Sequence, residues 1–496
     1  MSMQAVRAQI LGGSTTRATT SGTDLGAASR WRTGLGWCVV AVVAVGTGYA
    51  VTTSPLLAGA ALAAAAAVIL VVRAASPAPV FLLTYLALVL LPVLPGFQQR
   101  SALQLAALVG VAALGYAGLL RIAHARGVSV GVGGWVVAVP VALGAVTVLL
   151  MQRDVPRFAL GALMAVNLGV GVLAGRITTA EERRSILVGL TGFAQAMAVI
   201  ALYEAATGAP LYEFTPFQVH ENWQVVFRAS ALLGHPLILA ALLVAVAAAH
   251  LVRTDVRPAW NVRSRLWTVG LPLAGAVATS SRSAILMIVL AVAAVLLVRR
   301  SRDGRYGRGV AALALTATGA VLLMSLRDPT SALGKRLAEL SASAEAVRIS
   351  GLEVVRSITT GVEVVVGGGF GSVPAEASTG ATAAVFGTVD NQFLTAYADF
   401  GLVGAVGLVL MVATVLLSIR RPGYGPATRM VFVGAVPIIV AMAFCDALAW
   451  PALSMIFAYA LGVASVPDVP AAADERPEEG AARTRAAAPS APVTTT

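Results

Sequence analysis

Apolar residues fall in long runs along this chain, separated by short polar intervals. The runs occupy about 36–53, 55–72, 79–95, 102–119, 134–151, 158–175, 185–206, 231–251, 266–280, 283–298, 309–325, 391–417, 430–448 and 451–467. A helix crossing the hydrocarbon core of a bilayer needs about 20 residues, within a range of about 17 to 25. The pattern therefore predicts an all-α fold, a polytopic transmembrane helix bundle of about 12 to 14 helices. Ser280-Ser281-Arg282 separates two of the shorter runs, which read either as two short helices or as one broken helix. One polar interval is far longer than the rest, at 326–390. Inside it Leu333, Leu337 and Leu340, then Ile349, Leu352 and Val355, recur at helical spacing among Lys335, Arg336, Arg348 and Arg356. That spacing predicts amphipathic helices resting on the membrane face or on the bundle. The glycine run Gly367-Gly368-Gly369-Phe370-Gly371 then forces a turn or a close backbone approach.

The expected organisation is a disordered basic tail at 1–33, transmembrane helices over 34–325, and a large extracytoplasmic loop at 326–390. Further transmembrane helices follow at 391–467, and a second disordered tail at 468–496. Composition agrees: 58% of the 496 residues are hydrophobic, only 12% are charged, and the mean hydropathy is +0.84. A soluble domain does not use that much apolar surface, whereas a membrane bundle does. The abundance of Ala, Val, Leu, Gly and Arg points to a GC-rich bacterial genome.

The net charge of +12 would suggest nucleic acid in a soluble protein. Here the arginines crowd short loops between apolar runs, so membrane topology is the better explanation and nucleic acid is not expected as a partner. With the N-terminus inside, the inner loops hold Arg121 and Arg126, then Arg176, Arg183 and Arg184, then Arg253 to Arg265, Arg299 to Arg308, and Arg420, Arg421 and Arg429. The short outer loops hold only Arg100, Arg153 and Arg157. This bias predicts a multi-pass protein of the cytoplasmic membrane with both termini cytoplasmic. It places the 326–390 loop, the 207–230 loop, His235, Arg282 and Asp390 on the outer side. The two cysteines, Cys38 and Cys445, lie inside apolar runs and suggest neither a disulfide nor a metal site. The glycine run lacks a Gly-Lys-Ser/Thr element and is no nucleotide loop. No cofactor is expected.

Polar residues at the outer ends of apolar runs are the candidates for chemistry: Arg228, His235, Arg282, Arg348, Asp390 and Asn391. Charge at the edge of a bundle is costly and tends to face a cavity or a partner. Arginine offers a rigid fork of donors that matches phosphate oxygens. Arg228, Arg282 and Arg348 together would suit a diphosphate at the membrane surface. Each also has a plainer reading: Arg228 as a solvated loop arginine, Arg282 as a flanking arginine that snorkels. His235, in Gly234-His235-Pro236, is either a structural histidine at a helix start or an acid-base group. Asp390 and Asn391 both suit the ordinary role of capping the helix that follows, and for Asp390 that role competes with one as general base. Asp399 lies about two turns further in, as a pairing residue or a catalytic one. Glu204, Glu213, His220 and Glu221 are further acid-base candidates, while Asp446 and Trp450 lie near the outer end of the next run, with Trp450 read as an interface anchor.

The order of these features resembles the bacterial O-antigen ligase and O-antigen polymerase superfamily over roughly residues 180 to 460. Arg228 to Pro236 resembles its arginine followed by a His-Pro pair at a helix start. Thr279-Ser280-Ser281-Arg282-Ser283 is similar to its Thr-x-Ser-Arg segment. Arg348 with Gly368 to Gly371 is similar to the arginine and Gly-x-Gly stretch of its large periplasmic loop. Asp390 to Leu394, with Gly401 and Gly404, is similar to its His-Asn-x-x-Leu helix start. The resemblance implies a metal-independent membrane glycosyltransferase that polymerises or ligates polyprenyl-diphosphate-linked oligosaccharide at the outer face of the cytoplasmic membrane, for cell-surface polysaccharide. Its arginines, Arg228, Arg282 and Arg348 here, would hold the diphosphate. Asp390, Arg282 and His235 would be catalytic, supported by Asn391, Asp399 and Glu221. Membrane lipid and other polysaccharide assembly proteins would be its partners. Where ligases of the family carry a histidine as proposed base, this chain has Asp390. Many helices and outer arginines also suit a transporter or flippase of a lipid-linked glycan, although no internal repeat of the kind transporters carry is visible. A non-catalytic assembly protein would explain the helices but not the outer arginines and carboxylates.

Overall fold

The computed structural model describes residue 71 and residues 73–91, 102–128, 155–211, 228–252, 262–299, 355, 359, 361–370, 372, 391–421 and 424–466; the side chains at 102–106, 155–160, 262–263, 282, 297 and 299 are not among what it describes. Both tails, the runs at about 36–53, 134–151 and 309–325, nearly all of the run at 55–72, and most of the 326–390 loop lie outside the described residues. Residues 73–496 form one unit.

Among the described residues there are helices and turns and no strand. The long helices are α1 (Pro77–Leu90), α2 (Ala102–Ala125), α3 (Val155–Ile177), α4 (Ala180–Thr207) and α5 (Pro236–Val252). A helical turn at Val262–Arg265 and a π-helical stretch at Leu266–Gly270 lead into α6 (Leu271–Ala278). Then come α7 (Arg282–Arg299), α8 (Gln392–Ser418), α9 (Pro426–Met442) and α10 (Pro451–Ala464). Three of the described helices are long and apolar enough to cross a membrane: Ala107–Ala125 within α2, all of α4, and all of α8. The others carry shorter apolar stretches.

Local sequence explains where the helices begin. Ser76 accepts the N–H of Ala78 ahead of Pro77, a residue whose missing donor is harmless in the first turn. Thr179 and Glu182 form a reciprocal capping box at the start of α4. Asn391 caps α8, its Oδ1 accepting from Phe393 N at 2.9 Å and Leu394 N at 3.2 Å. The Ser280-Ser281 break separates α6 and α7 as two helices, and Ser280 takes a positive φ of 49° there.

α5 is the centre of the bundle. Every residue in it except Leu251 is buried, and α4, α6, α7, α9 and α10 pack around it. A helix that is apolar on all sides needs such a jacket. α3 and α10 run side by side in near backbone contact. A Cβ on Gly175 would meet Tyr459 O at 2.2 Å, and one on Gly462 would meet Val172 O at 2.1 Å, so small residues set that spacing. α8 is the opposite case. It leaves Leu402, Val403, Val406, Val409, Leu410 and Leu417 exposed along its length. So continuous an apolar stripe is foreign to a water-facing helix and natural to a lipid-facing one.

Within the stretches α3–α4–α5 and α8–α9–α10 successive helices alternate in direction, whereas α2 and α3 both end at the contact of Arg126 with Ile177, and the bundle has two ends. One is basic: α2 ends there at Arg121 and Arg126, α3 at Arg176, α4 begins with Arg183 and Arg184, and α8 and α9 meet at Arg420, Arg421 and Arg429. It is tied by Arg126 to Glu182 at 2.7 Å and to Ile177 O at 2.8 Å. The other end holds the start of α5, the α6–α7 turn, the start of α8 and the α9–α10 connection, and there the chain carries few arginines.

Candidate functional site

Of the sequence-predicted residues, the described Arg228, His235, Asn391 and Asp399 lie at the arginine-poor end. The 228–235 segment reaches it through a buried anchor. Glu204, fully buried near the end of α4, accepts three backbone N–H groups: Leu211 at 2.9 Å, Ser230 at 3.0 Å and Ala231 at 2.9 Å. Ala231 sits at φ 45°, and the 3-10 turn Ala231–Leu233 closes on Gly234 at φ 69°. Ala231 and Ser280 are the two non-glycine residues with positive φ among those described, and each lies in a segment the sequence marked for chemistry. Such backbone costs about 1 to 3 kcal/mol and persists only where its surroundings hold it. Glu204, read from sequence as an acid-base candidate, is placed as the clamp of this turn.

The turn fixes Arg228 and His235 next to each other. His235 Nδ1 accepts the N–H of Leu237 at 3.2 Å, which leaves the ring proton on Nε2. Burial, and then the Arg228 charge, hold its pKa down to about 4. At neutral pH this imidazole is an uncharged hydrogen-bond donor. Its ring stands 5.7 Å from the Trp450 ring, so Trp450 packs on the site as well as lying near the interface.

Trp450 belongs to the α9–α10 connection, which brings Asp446. The start of α8 is stitched to this connection: Gln392 Oε1 accepts from Leu448 N at 2.6 Å, and Asn391 Nδ2 donates to Ala443 O at 3.5 Å. The Asp446 carboxyl is pushed up to about 7 by burial first and by Asp399 second, while a hydrogen bond from Gln392 opposes the rise. A carboxyl that titrates near neutrality, half-exposed at a polar cluster, is suited to take a proton from a hydroxyl. Sequence reading placed Asp446 near this end but gave it no role. Only the fold brings it beside Gln392 and Asp399.

Asp399 carries the glycine run. Its Oδ1 accepts from Ser372 N at 3.0 Å and Ser372 Oγ at 2.9 Å. Its carbonyl accepts from Gly369 N at 3.0 Å, and that of Ala398 from Gly368 N at 2.8 Å. α8 is interrupted here, at Gly401, with φ 63° and ψ −158°. The interruption and the glycine run fit each other backbone to backbone. A Cβ on Gly367 would lie 2.3 Å from Asp399 C and Phe400 N, and one on Gly401 would lie 2.3 Å from Val365 C and O. Phe370 sits across from Phe400 at 6.3 Å and against Gly161 of α3, and Val355 packs on Ala398. The end of the long loop is thus latched onto a broken membrane-length helix beside Asp446. Gly367→Ala should release this latch, since its φ of 81° is almost closed to other residues. The expected result is faster limited proteolysis of the 326–390 loop, with the helix content by circular dichroism unchanged.

Arg282 is the first residue of α7; the helix before it runs beside α4, from Trp267 opposite Gln195 to Gly275 opposite Ala198, toward the end where Glu204 lies. Asn391 takes the cap of α8, which frees its neighbour Asp390 from that role. Asp390, Arg348 and Glu221, with Glu213 and His220, lie outside the described residues. No cluster of three or more His, Cys, Asp or Glu placed to hold a metal ion occurs among the described residues. Compared with known proteins, the chain matches no family model and no curated protein.

Proposed function

We propose that this chain is an integral-membrane glycosyltransferase of the O-antigen ligase and polymerase kind, acting on polyprenyl-diphosphate-linked oligosaccharide at the outer face of a bacterial cytoplasmic membrane. On this reading the bundle has about 12 to 14 membrane helices. The basic end is cytoplasmic, as are both termini, because arginine-rich loops stay inside. The observation that carries the proposal is the gathering of Arg228, His235, Asn391, Asp399 and Asp446 at the arginine-poor end, under the latched end of the long loop.

The chemistry needs few parts. An acceptor hydroxyl attacks the anomeric carbon of the lipid-linked sugar. The new C–O bond forms as the C–O bond to the diphosphate breaks, with inversion. The proton leaves to a carboxylate, and the diphosphate departs on the polyprenyl chain. Arg228, Arg282 and Arg348 counter the leaving-group charge through bidentate contacts. Neutral His235 donates through Nε2 to an oxygen of the diphosphate or the sugar. Asp446 is the base among the described residues, and Asp390 is the alternative.

Protein reconstituted in lipid vesicles and given a polyprenyl-diphosphate oligosaccharide should lengthen or transfer the glycan. Movement of the lipid across the bilayer with no new glycosidic bond would mark a flippase instead. Arg282→Lys keeps the charge and loses the fork, so it should cut turnover about tenfold or more if a bidentate contact worth about 1.5 to 3 kcal/mol is lost. Full activity in both Arg282→Lys and Arg282→Ala would remove Arg282 from the site.

A further inference from the structure

The break at Gly401 divides α8 into two parts with different surroundings. Before it, from Gln392 to Phe400, no residue is exposed. After it, Leu402, Val403, Val406, Val409, Leu410 and Leu417 all are. The second part, from Leu402 to Ser418, rises about 25 Å at about 1.5 Å per residue, close to the roughly 30 Å of a bilayer's hydrocarbon core, and is followed by Arg420 and Arg421. The lipid-facing wall therefore begins at the break. The short turn Glu363–Val366 lies at that boundary, where a Cβ on Gly401 would strike the Val365 carbonyl. Its side chains are apolar and face outward: Val362 is 76% exposed, Val365 50% and Val366 57%. Its backbone is nonetheless paired. Val365 N and Val366 N donate to Val362 O at 3.0 and 3.2 Å, and Gly367 N donates to Glu363 O at 2.8 Å. Gly368 N and Gly369 N then donate to Ala398 O and Asp399 O, the two carbonyls that an unbroken α8 would pair with Leu402 N and Val403 N. From Val365 to Gly369 every backbone N–H is thus satisfied inside the protein.

We infer that this turn is a membrane-docking element: Val362, Val364 and Val366 enter the acyl chains where the lipid-facing part of α8 begins, and so hold the end of the 326–390 loop against the bilayer. Exposed valines over a paired backbone are what hydrocarbon requires and what water does not. The partner is lipid because the turn packs on Gly401, the point at which the exposed apolar stripe of α8 starts. Glu363, the charged side chain of the turn, stands at its first position and fits the headgroup layer, which sets the turn at the edge of the hydrocarbon. Gly369 and Ser372 of the same segment bind Asp399, so contact with lipid also steadies the loop at the candidate site. The inference requires that α8 crosses a membrane, not that the protein transfers glycan.

The test is the depth of spin labels on the full chain, reconstituted in phosphatidylcholine–phosphatidylglycerol vesicles with Cys38 and Cys445 changed to Ser. Labels at Val362→Cys, Val364→Cys and Val366→Cys should collide more with dissolved oxygen than with a water-soluble nickel chelate, as should a label at Val406→Cys on the exposed stripe of α8. A label at Glu181→Cys, exposed at the basic end, should show the reverse. Water-like accessibility at the three turn positions would overturn the assignment. Low accessibility to both reagents would overturn it too, by showing that another part of the loop or a second copy covers the valines. A second measurement needs no label. Val362→Asn together with Val366→Asn should speed proteolysis of the loop in vesicles about tenfold, the effect of losing the burial of a valine, whereas Val362→Leu with Val366→Leu should not. Wild-type cleavage of the Asn pair would count against lipid as the partner. Glycan transfer enters none of these measurements, so the proposed activity stands or falls separately.

Discussion

Replacing Asp446 with Asn is expected to lower glycan transfer by about 10²- to 10⁴-fold, the usual weight of a positioned general base. The shape survives the change, because Asn still offers an oxygen to the Gln392 amide. The wild-type rate should rise with pH and level off above about 7, where the carboxyl gives up its proton. Asp446→Asn should lack that limb. Stability should move the other way. The folded carboxyl titrates at about 7 and the unfolded one near 3.8, so the folded state binds the proton more tightly. Its contribution is complete below the unfolded value and is lost as pH rises from about 4 through about 7. Above that range the wild-type protein holds a charge that its partly buried position and Asp399 disfavour, and that Asn does not carry. Asp446→Asn should therefore melt no lower than wild type at pH 8. An inactive and well-folded Asn variant supports the base. Wild-type transfer by it would exclude Asp446, and loss in Asp390→Asn alone would move the role to Asp390.

Glu204→Ala is expected to have the largest structural effect of any single change at this end. It removes an acceptor of three backbone N–H groups from a fully buried place. Each hydrogen bond to a charged group contributes about 1.5 to 3 kcal/mol, and stranding a buried donor costs about 1 to 3 kcal/mol. The Ala231 turn at φ 45° would then have little to hold it. Arg228 and His235 should lose their fixed positions, with glycan transfer down more than tenfold and a melting temperature several degrees lower. Glu204→Gln tells a clamp from an acid-base group. Gln keeps one oxygen for the N–H donors, so for a clamp it should recover part of the stability and part of the activity together. A Gln variant as stable as wild type but inactive would show that Glu204 handles protons.

Helix class and most helix positions were legible in the sequence, because in a bilayer apolar run length alone requires an element that pairs all its backbone groups internally. The runs at about 158–175, 185–206, 231–251 and 391–417 fall on α3, α4, α5 and α8. The grouping of arginines at one end was legible too, since loop charge needs no tertiary knowledge once helices alternate. The division of labour between Asp390 and Asn391 was not. Both residues cap helices well, and it took the observed bonds of Asn391 to Phe393 and Leu394 to assign the cap. The break in α8 was hidden because Gly401 lies in an unbroken apolar run; its reason is the backbone of Gly367 on the far side of the contact. Glu204 reads from sequence as one carboxylate among several, because its three donors lie 7, 26 and 27 residues away. Asp446 was passed over for the same reason: its character comes from burial, from Asp399 and from Gln392, on a different helix. The sequence by itself determined helices, their apolar faces and the charge of their ends, all properties set by neighbouring residues along the chain. The tertiary structure alone decided which polar side chains meet, because a carboxylate's protonation and an arginine's partner depend on groups brought from distant positions into a space with little water.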